Sequence, residues 1–224
     1  MVVYRCEDSL ESVFTAIYQA YEEKRNHGDT SLMLTDDALL FAEDIYVIPD
    51  TGKARKVINT LIRRFGQEDY LSICMALASD DVDKAQAVYR TVVDGLRAGR
   101  PAGHLFDNLA DVFVHKAFAL ARSVSREVER HKQFLRFQEL ENGLLYSKIG
   151  LKYDVLVFVM PHFADRLSIE NFAVYDEKNN LFGIHPAGGQ WYLLRGTEAD
   201  DLPGLQFSER EMCYQELFRQ LCRT

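Results

Sequence analysis

Apolar residues recur at helical spacing through the first part of the chain. A first helix is predicted after Ser9, whose hydroxyl suits an N-cap, and Gly66 is predicted to end a second one that begins at Thr51. Further helices are predicted over 68–78, 82–98 and 105–132, with short strands at 2–5 and 45–48. This part of the chain is therefore expected to be mainly helical.

The periodicity changes at about residue 134, where short alternating segments predict strands. Asn142-Gly143 is a hairpin signal, and residues 177–180 predict a second hairpin, between strands at 172–175 and 181–185. A helix is predicted over 155–163, a third strand over 190–194, and a final helix from the capping box at 208–211.

These patterns together predict an α+β fold. We expect one domain spanning residues 1–224 with a soft sub-boundary near Gln133. The part from 1 to 133 would be mainly helical. The part from 134 to 224 would hold a small antiparallel sheet flanked by helices.

Composition narrows the class of protein. The net charge is −8, from 26 basic and 34 acidic residues, which argues against a general DNA-coating protein but leaves room for a local basic site. The four cysteines are scattered and match no zinc or iron–sulfur motif, so we predict no metal site. We expect no signal peptide and no membrane segment, and hence a cytoplasmic protein.

Basic residues concentrate towards the end of the long predicted helix. Arg122, Arg126 and Arg130 recur every four positions and can share one side of it, and Arg136 follows shortly afterwards. Such a surface suits contacts with phosphates. A solvated helix face with internal Glu–Arg pairs explains the same pattern equally well.

The densest polar cluster lies on the helix predicted over 155–163 and just beyond it. Asp165 and Arg166 follow His162 by three and four positions, so all three share a helix face. A carboxylate that orients a histidine is an acid–base arrangement, and His162 and Asp165 are therefore candidate catalytic residues. A structural role for this histidine, with ion pairs at the helix end, is the stronger alternative because no nucleophile is visible.

A glycine turn precedes the only tryptophan. Gly188 and Gly189 permit a tight turn or a close backbone approach to a ligand, and the turn is the stronger interpretation. Trp191 could stack on a base, and Arg166 is a candidate to contact nucleic acid beside it, although an isolated tryptophan near strands more often belongs to a core.

Several segments taken together resemble a bacterial family of "probable DNA metabolism proteins" built on a domain of unknown function. The likeness is sharpest at 134–137, 143–146, 161–166 and 189–192. The resemblance implies a DNA-related role beside a radical-SAM (S-adenosylmethionine) protein encoded nearby. Any iron–sulfur cluster and S-adenosylmethionine would then belong to that partner, with no cofactor in this chain. Similar proteins are expected to continue beyond Thr224 in a basic tail.

Three functions are consistent with these observations. The leading hypothesis is an accessory DNA repair or modification protein that binds nucleic acid or a nucleotide and acts with a radical-SAM partner. The second is a stand-alone hydrolase or glycosylase-like enzyme that uses His162 and Asp165. The third is a protein-interaction module whose acidic first half docks a basic partner.

Overall fold

The computed structural model describes residues 1–37, 40–196 and 206–213. The chain divides into two compact units, Met1–Ser125 and Arg126–Thr224, and each contains its own β-sheet. The predicted α+β class is confirmed. Within the described residues, every helix is too short or too polar to cross a membrane.

The first unit contains a sheet of three parallel strands in the order β2-β1-β3. They are β1 (Val2–Arg5), β2 (Thr30–Met33) and β3 (Glu43–Tyr46). Helix α1 (Leu10–Glu22) provides the crossover from β1 to β2 that a parallel pair needs. The Ser12 amide donates a hydrogen bond to Ser9 Oγ at 3.1 Å, so the predicted N-cap is present. Strand β2 was not predicted.

Three longer helices follow the first sheet: α2 (Thr51–Leu77), α3 (Lys84–Ala98) and α4 (Val112–Phe134). Helix α2 is interrupted at Gly66, which has a φ of 87° and separates two helical segments. This left-handed backbone is the reason that a glycine occupies the position. The helix that was predicted to end at Gly66 therefore does break there, and a second helical segment of α2 follows directly.

Helix α4 begins later than predicted, at Val112 rather than at Leu105. The carboxylate of Asp69 accepts a hydrogen bond from the Leu105 amide at 3.2 Å, and this bond holds the intervening segment in an irregular conformation. The carboxylate of Asp111 then accepts the Val114 amide at 3.1 Å and caps the new helix start.

The second unit contains a five-stranded sheet in the order β4-β5-β6-β7-β8. The strands are β4 (Gln138–Glu139), β5 (Leu145–Ile149), β6 (Phe172–Asp176), β7 (Leu181–His185) and β8 (Tyr192–Arg195). The expectation of a purely antiparallel sheet was wrong, because β5 and β6 pair in parallel. Helix α5 (Leu156–Arg166) forms the crossover between them, while the predicted β6–β7 hairpin is present.

Helix α5 packs against one face of this sheet, where Gly183 on β7 leaves room for the side chain of Met160. On the same face, Phe137 makes edge-on ring contacts with Phe163 and Phe172, at centroid distances of 5.2 and 5.3 Å. This aromatic core holds the end of α5 and the end of β7 in place.

The two edges of the second sheet differ. The edge beyond β4 is closed by the segment 206–208: Leu140 bridges to Phe207, and the Ser208 amide donates to the Glu139 carbonyl at 3.0 Å. At the opposite edge, all four residues of β8 are exposed. The Glu211 amide donates to Ser208 Oγ at 3.1 Å, as a helix cap requires, and the predicted helix beyond residue 213 lies outside the described residues.

Candidate functional site

An open cavity of about 410 Å³ lies in the second unit, between the end of α5 and the connection from β7 to β8. Ser168, His185, Trp191 and the turn at 188–190 line it, together with Ala164. The glycine turn and the tryptophan that were selected from the sequence therefore line the same cavity, together with His185.

His185 is held in a fixed orientation at this cavity. Its ring is 2% exposed and stacks on Phe172, with centroids 4.8 Å apart. Nδ1 lies 3.0 Å from the carbonyl oxygen of Glu170. Because a carbonyl can only accept, Nδ1 carries the hydrogen, and in the neutral ring Nε2 is then the acceptor. Nε2 has no hydrogen-bond partner among the described residues, so it is available to a ligand.

The turn after β7 is fixed by hydrogen bonds to the segment that follows α5. The Gly188 amide donates to the Ser168 carbonyl at 2.7 Å, and the Ala187 amide donates to Asn171 Oδ1 at 2.9 Å. Gly188 has a φ of 68°, which a side chain would strain. The cavity rim is therefore rigid backbone with little side-chain bulk.

Trp191 forms one wall of the cavity and is half-buried. In the described parts of the chain, its indole makes no ring contact with another aromatic side chain. The expectation that an isolated tryptophan belongs to a core therefore does not describe Trp191. An indole that is partly exposed at a cavity is suited to stack on a flat ligand.

Four of the five arginines predicted to contact nucleic acid lie in the same unit as this cavity. Arg126 and Arg130 are exposed on α4, Arg136 is exposed after it, and Arg166 is exposed in the last turn of α5. Arg126, Arg130 and Arg166 form no ion pair with any residue that the structure describes. Their charges are therefore available to an external anion.

The glutamates on α4 have other partners. Glu127 is buried, and its Oε1 accepts the Lys152 amide at 2.7 Å and lies 3.7 Å from His131 Nε2. Glu129 pairs with Lys132 at 3.0 Å. The alternative that the helix arginines are occupied by internal Glu–Arg pairs is therefore not what the structure shows.

Arg122 belongs to the first unit and has a different environment. Its guanidinium lies over the ring of Phe118, 5.8 Å from the centroid. It also lines a separate cavity of about 640 Å³ together with Glu68 and Asp69. Arg122 is thus the one predicted contact that the structure places outside the second unit.

The predicted catalytic pair is adjacent on α5, but its members do not contact each other. His162 is half-buried and meets the ring of Phe163 edge-on at 5.0 Å. Among the described residues, no hydrogen bond or ion pair joins His162 to Asp165 or Arg166, and neither His162 nor Asp165 lines the cavity. The catalytic role of this pair stays a prediction, which turnover of the His162→Ala variant would check.

The residue that sequence reasoning did not select is His185. Its position depends on two partners that are distant in sequence, the Glu170 carbonyl and the Phe172 ring. The sequence did contain one usable signal. Gly183 and His185 are two positions apart in a strand, so both lie on the same sheet face, the one that packs against α5. Within residues 1–37, 40–196 and 206–213, no group of three metal-binding side chains is present.

The first unit also has a large cavity, of about 620 Å³, and two of the three arginines that line it form ion pairs. Arg25 forms an ion pair with Glu23 at 2.7 Å, and Arg97 pairs with Asp94 at 3.4 Å. Burial, followed by the charge of the nearby Arg90, lowers the pKa of His27, which lines the same cavity. Arg90, the third arginine at this cavity, donates to the His27 carbonyl and lies over the ring of Phe113, with no ion pair in the described chain.

Comparison with known proteins gives one family. The model of DUF4130, a domain of unknown function, matches residues 82–224, which include the whole second unit. A search of curated proteins found no match. The match covers more than half of the chain, and the protein therefore belongs to the DUF4130 family.

Proposed function

We propose that this member of the DUF4130 family binds nucleic acid or a nucleotide in a DNA-metabolism role, with the second unit as the binding region. The observation that carries the proposal is that one unit contains both a cavity with an aromatic wall and a set of exposed arginines without ion pairs in the described chain. Arg126, Arg130 and Arg166 have no ion-pair partner in the described chain, and the same unit presents Trp191 and His185 at one cavity.

A nucleobase would enter the cavity and stack on the indole of Trp191. Such stacking contributes roughly 1–3 kcal/mol per base and tolerates any base, because every base has a π-face. Nε2 of His185 would accept a hydrogen bond from an amino or imino N–H on the base edge. The open space beside Gly188 would accommodate the sugar or the rest of the base.

The phosphates would contact the exposed arginines of this unit. A guanidinium matches phosphate geometry with two parallel hydrogen bonds and keeps its charge at any working pH. The overall charge of −8 disfavours binding to any polyanion at random, so contacts would depend on this local set. The ligand expected from a stacking wall and an open cavity is an unpaired base, in a single strand or as a nucleotide.

The proposal includes a radical-SAM partner, which would supply the iron–sulfur cluster and S-adenosylmethionine. The four cysteines are scattered and match no iron–sulfur motif, which favours a cluster in the partner over one in this chain. Co-purification of the two proteins, compared with an unrelated radical-SAM protein, checks this part.

Binding is tested by fluorescence anisotropy with a labelled single-stranded oligonucleotide, titrated at several salt concentrations. The expected result is saturable binding whose logarithmic affinity falls linearly with the logarithm of the salt concentration, because counterions are released from the phosphates. A duplex of the same sequence should bind more weakly. No binding at low salt to a single strand, a duplex or a free nucleotide would refute the proposal.

A further inference from the structure

Strand β8 is an open sheet edge with apolar side chains. Tyr192, Leu193 and Leu194 are 50%, 39% and 53% exposed, and Arg195 is the one charged residue of the strand. Proteins usually protect such edges with several charges, a proline, a bulge or a covering segment, because an unprotected edge pairs with another strand. The opposite edge of this sheet is covered by Phe207, but β8 has no covering strand in the described chain.

The hydrogen-bond pattern shows which backbone groups of β8 are free. The Gly196 amide donates to the Asn180 carbonyl at 2.9 Å, and these two residues are opposite each other, since Arg195 pairs with Leu181. Alternate residues of an antiparallel strand direct their backbone groups to opposite sides. Tyr192 and Leu194 therefore bond to β7, while the N–H and C=O groups of Leu193 point away from the sheet.

We propose that two copies of this chain form a dimer by antiparallel pairing of β8 with β8, about a twofold axis at Leu193. In such a pair, directly opposite residues must lie on the same sheet face. Leu193 satisfies this condition with Leu193 of the partner subunit. The backbone N–H and C=O groups of both Leu193 residues point to the open edge. Each Leu193 would therefore donate one backbone hydrogen bond to the other and accept one in return.

In this register, the side chains that lie opposite each other across the interface are compatible on both faces of the sheet. Tyr192 is opposite Leu194 of the partner subunit, an aromatic–aliphatic pair. Trp191 is opposite Arg195 of the partner subunit, which places a guanidinium within reach of the indole for a cation–π contact. No like charges are opposed, so the edge is complementary to itself, as a twofold interface requires.

The dimer would also complete the cavity. Because Trp191 forms one cavity wall, the partner's Arg195 adds a cation beside the same indole. The pairing itself depends on the strand and not on the ligand. It therefore holds or fails independently of the nucleic-acid proposal.

The test is sedimentation velocity of the full chain over a range of concentrations. The wild-type protein is expected to sediment as a dimer at micromolar concentration. Leu193→Lys places two lysines opposite each other and should raise the dissociation constant about a hundredfold or more. Ile169→Lys is the matched control, because Ile169 is 81% exposed in the same unit but lies outside β8. This variant should stay dimeric.

Mixing Leu193→Lys with Leu193→Glu provides the sharpest result. Each variant alone should be a monomer, and the mixture should recover a dimer, because lysine and glutamate are then opposite each other. Should the charged variants fail to fold, Leu193→Gln, an uncharged polar replacement, should still weaken the dimer relative to wild type. A wild-type monomer at about 100 µM, or a dimer that Leu193→Lys, Leu193→Glu and Leu193→Gln all leave intact, would overturn the proposal. Pairing of β8 with a different protein would appear as a wild-type monomer.

Discussion

Within the described residues, β3 in the first unit and β8 in the second are edge strands with no further strand beside them, but they differ in chemistry. In the first unit, the Leu32 amide on β2 donates to Gln86 Oε1 at 2.8 Å, and the open strand β3 presents Glu43 and Asp44. In the second unit, the open strand β8 is largely apolar. Charged residues discourage strand pairing. Self-association is therefore expected of the second sheet rather than of the first.

Several arginines of the two units also differ in their partners. Around the cavity of the first unit, Arg25 and Arg97 are paired with acidic side chains that belong to the fold. In the second unit, Arg126, Arg130 and Arg166 have no such partner in the described chain. An arginine that is paired with an acidic side chain is already neutralised, whereas an arginine without such a partner can bind an external anion. The proposal that the second unit binds nucleic acid therefore rests on these arginines together with the aromatic wall of its cavity.

The largest effect is expected from removing the aromatic wall. Trp191→Ala should weaken binding of a single-stranded oligonucleotide roughly tenfold to a hundredfold, because one base loses its stacking partner. Trp191→Phe should restore most of the affinity. Tyr21→Ala is the matched control, since Tyr21 lines the cavity of the first unit and should not affect binding. If Trp191→Ala and Tyr21→Ala lose the same affinity for the oligonucleotide in an anisotropy titration, the cavity of the second unit is not the specific binding site.

Local signals explain which elements could be predicted. The β6–β7 hairpin was predicted because its turn residues and both strands are contiguous in sequence. Strand β2 was missed because it is short and its partner β1 lies across a whole helix. The parallel pairing of β5 with β6 was missed for the same reason, since the crossover through α5 determines it. Non-local pairing leaves little trace in a single sequence.

A smaller effect is expected from the free charges. Replacing Arg126 and Arg130 together by alanine should reduce affinity about tenfold, and it should reduce the salt slope for a single strand by about 1.4 if each contacts one phosphate. The control is Arg97→Ala, which removes an arginine that is exposed but paired with Asp94. A salt slope that is unchanged in the double variant would show that these arginines are not the phosphate contacts.

The candidate site was partly visible in the sequence. Trp191 and the glycines before it were selected because their residue types are distinctive. His185 was not selected, because its fixed orientation comes from a backbone carbonyl that no side-chain pattern reveals. The free state of the arginines was equally hidden, since it depends on Glu127 being buried and bonded elsewhere.

The smallest effect concerns stability and pH. Burial, followed by the charge of Arg130, lowers the pKa of His131 in the second unit below its usual 6.5. The unfolded chain therefore binds a proton at higher pH than the folded chain does. The stability associated with His131 is fully present above about pH 6.5 and is lost as the pH falls through the lower, folded-state pKa. Urea unfolding at pH 7.5 and 5.5 should show a smaller pH difference in His131→Gln than in wild type.

The control for this measurement is in the first unit. His27 also has a lowered pKa, caused by burial and by Arg90. His27→Gln should therefore also reduce the pH dependence of the free energy of unfolding, by a change in the first unit. If neither variant alters the pH dependence of unfolding, these two histidines do not titrate as their surroundings require.

Intrinsic fluorescence tests the central claim most directly, because Trp191 is the only tryptophan in the chain. The wild-type protein is titrated with a single-stranded oligonucleotide and with an abasic strand of equal length and charge. A saturable change in tryptophan emission with the normal strand, and little change with the abasic strand, is the result that base stacking on Trp191 predicts. Binding of the normal strand in anisotropy without any change in this emission would contradict the account.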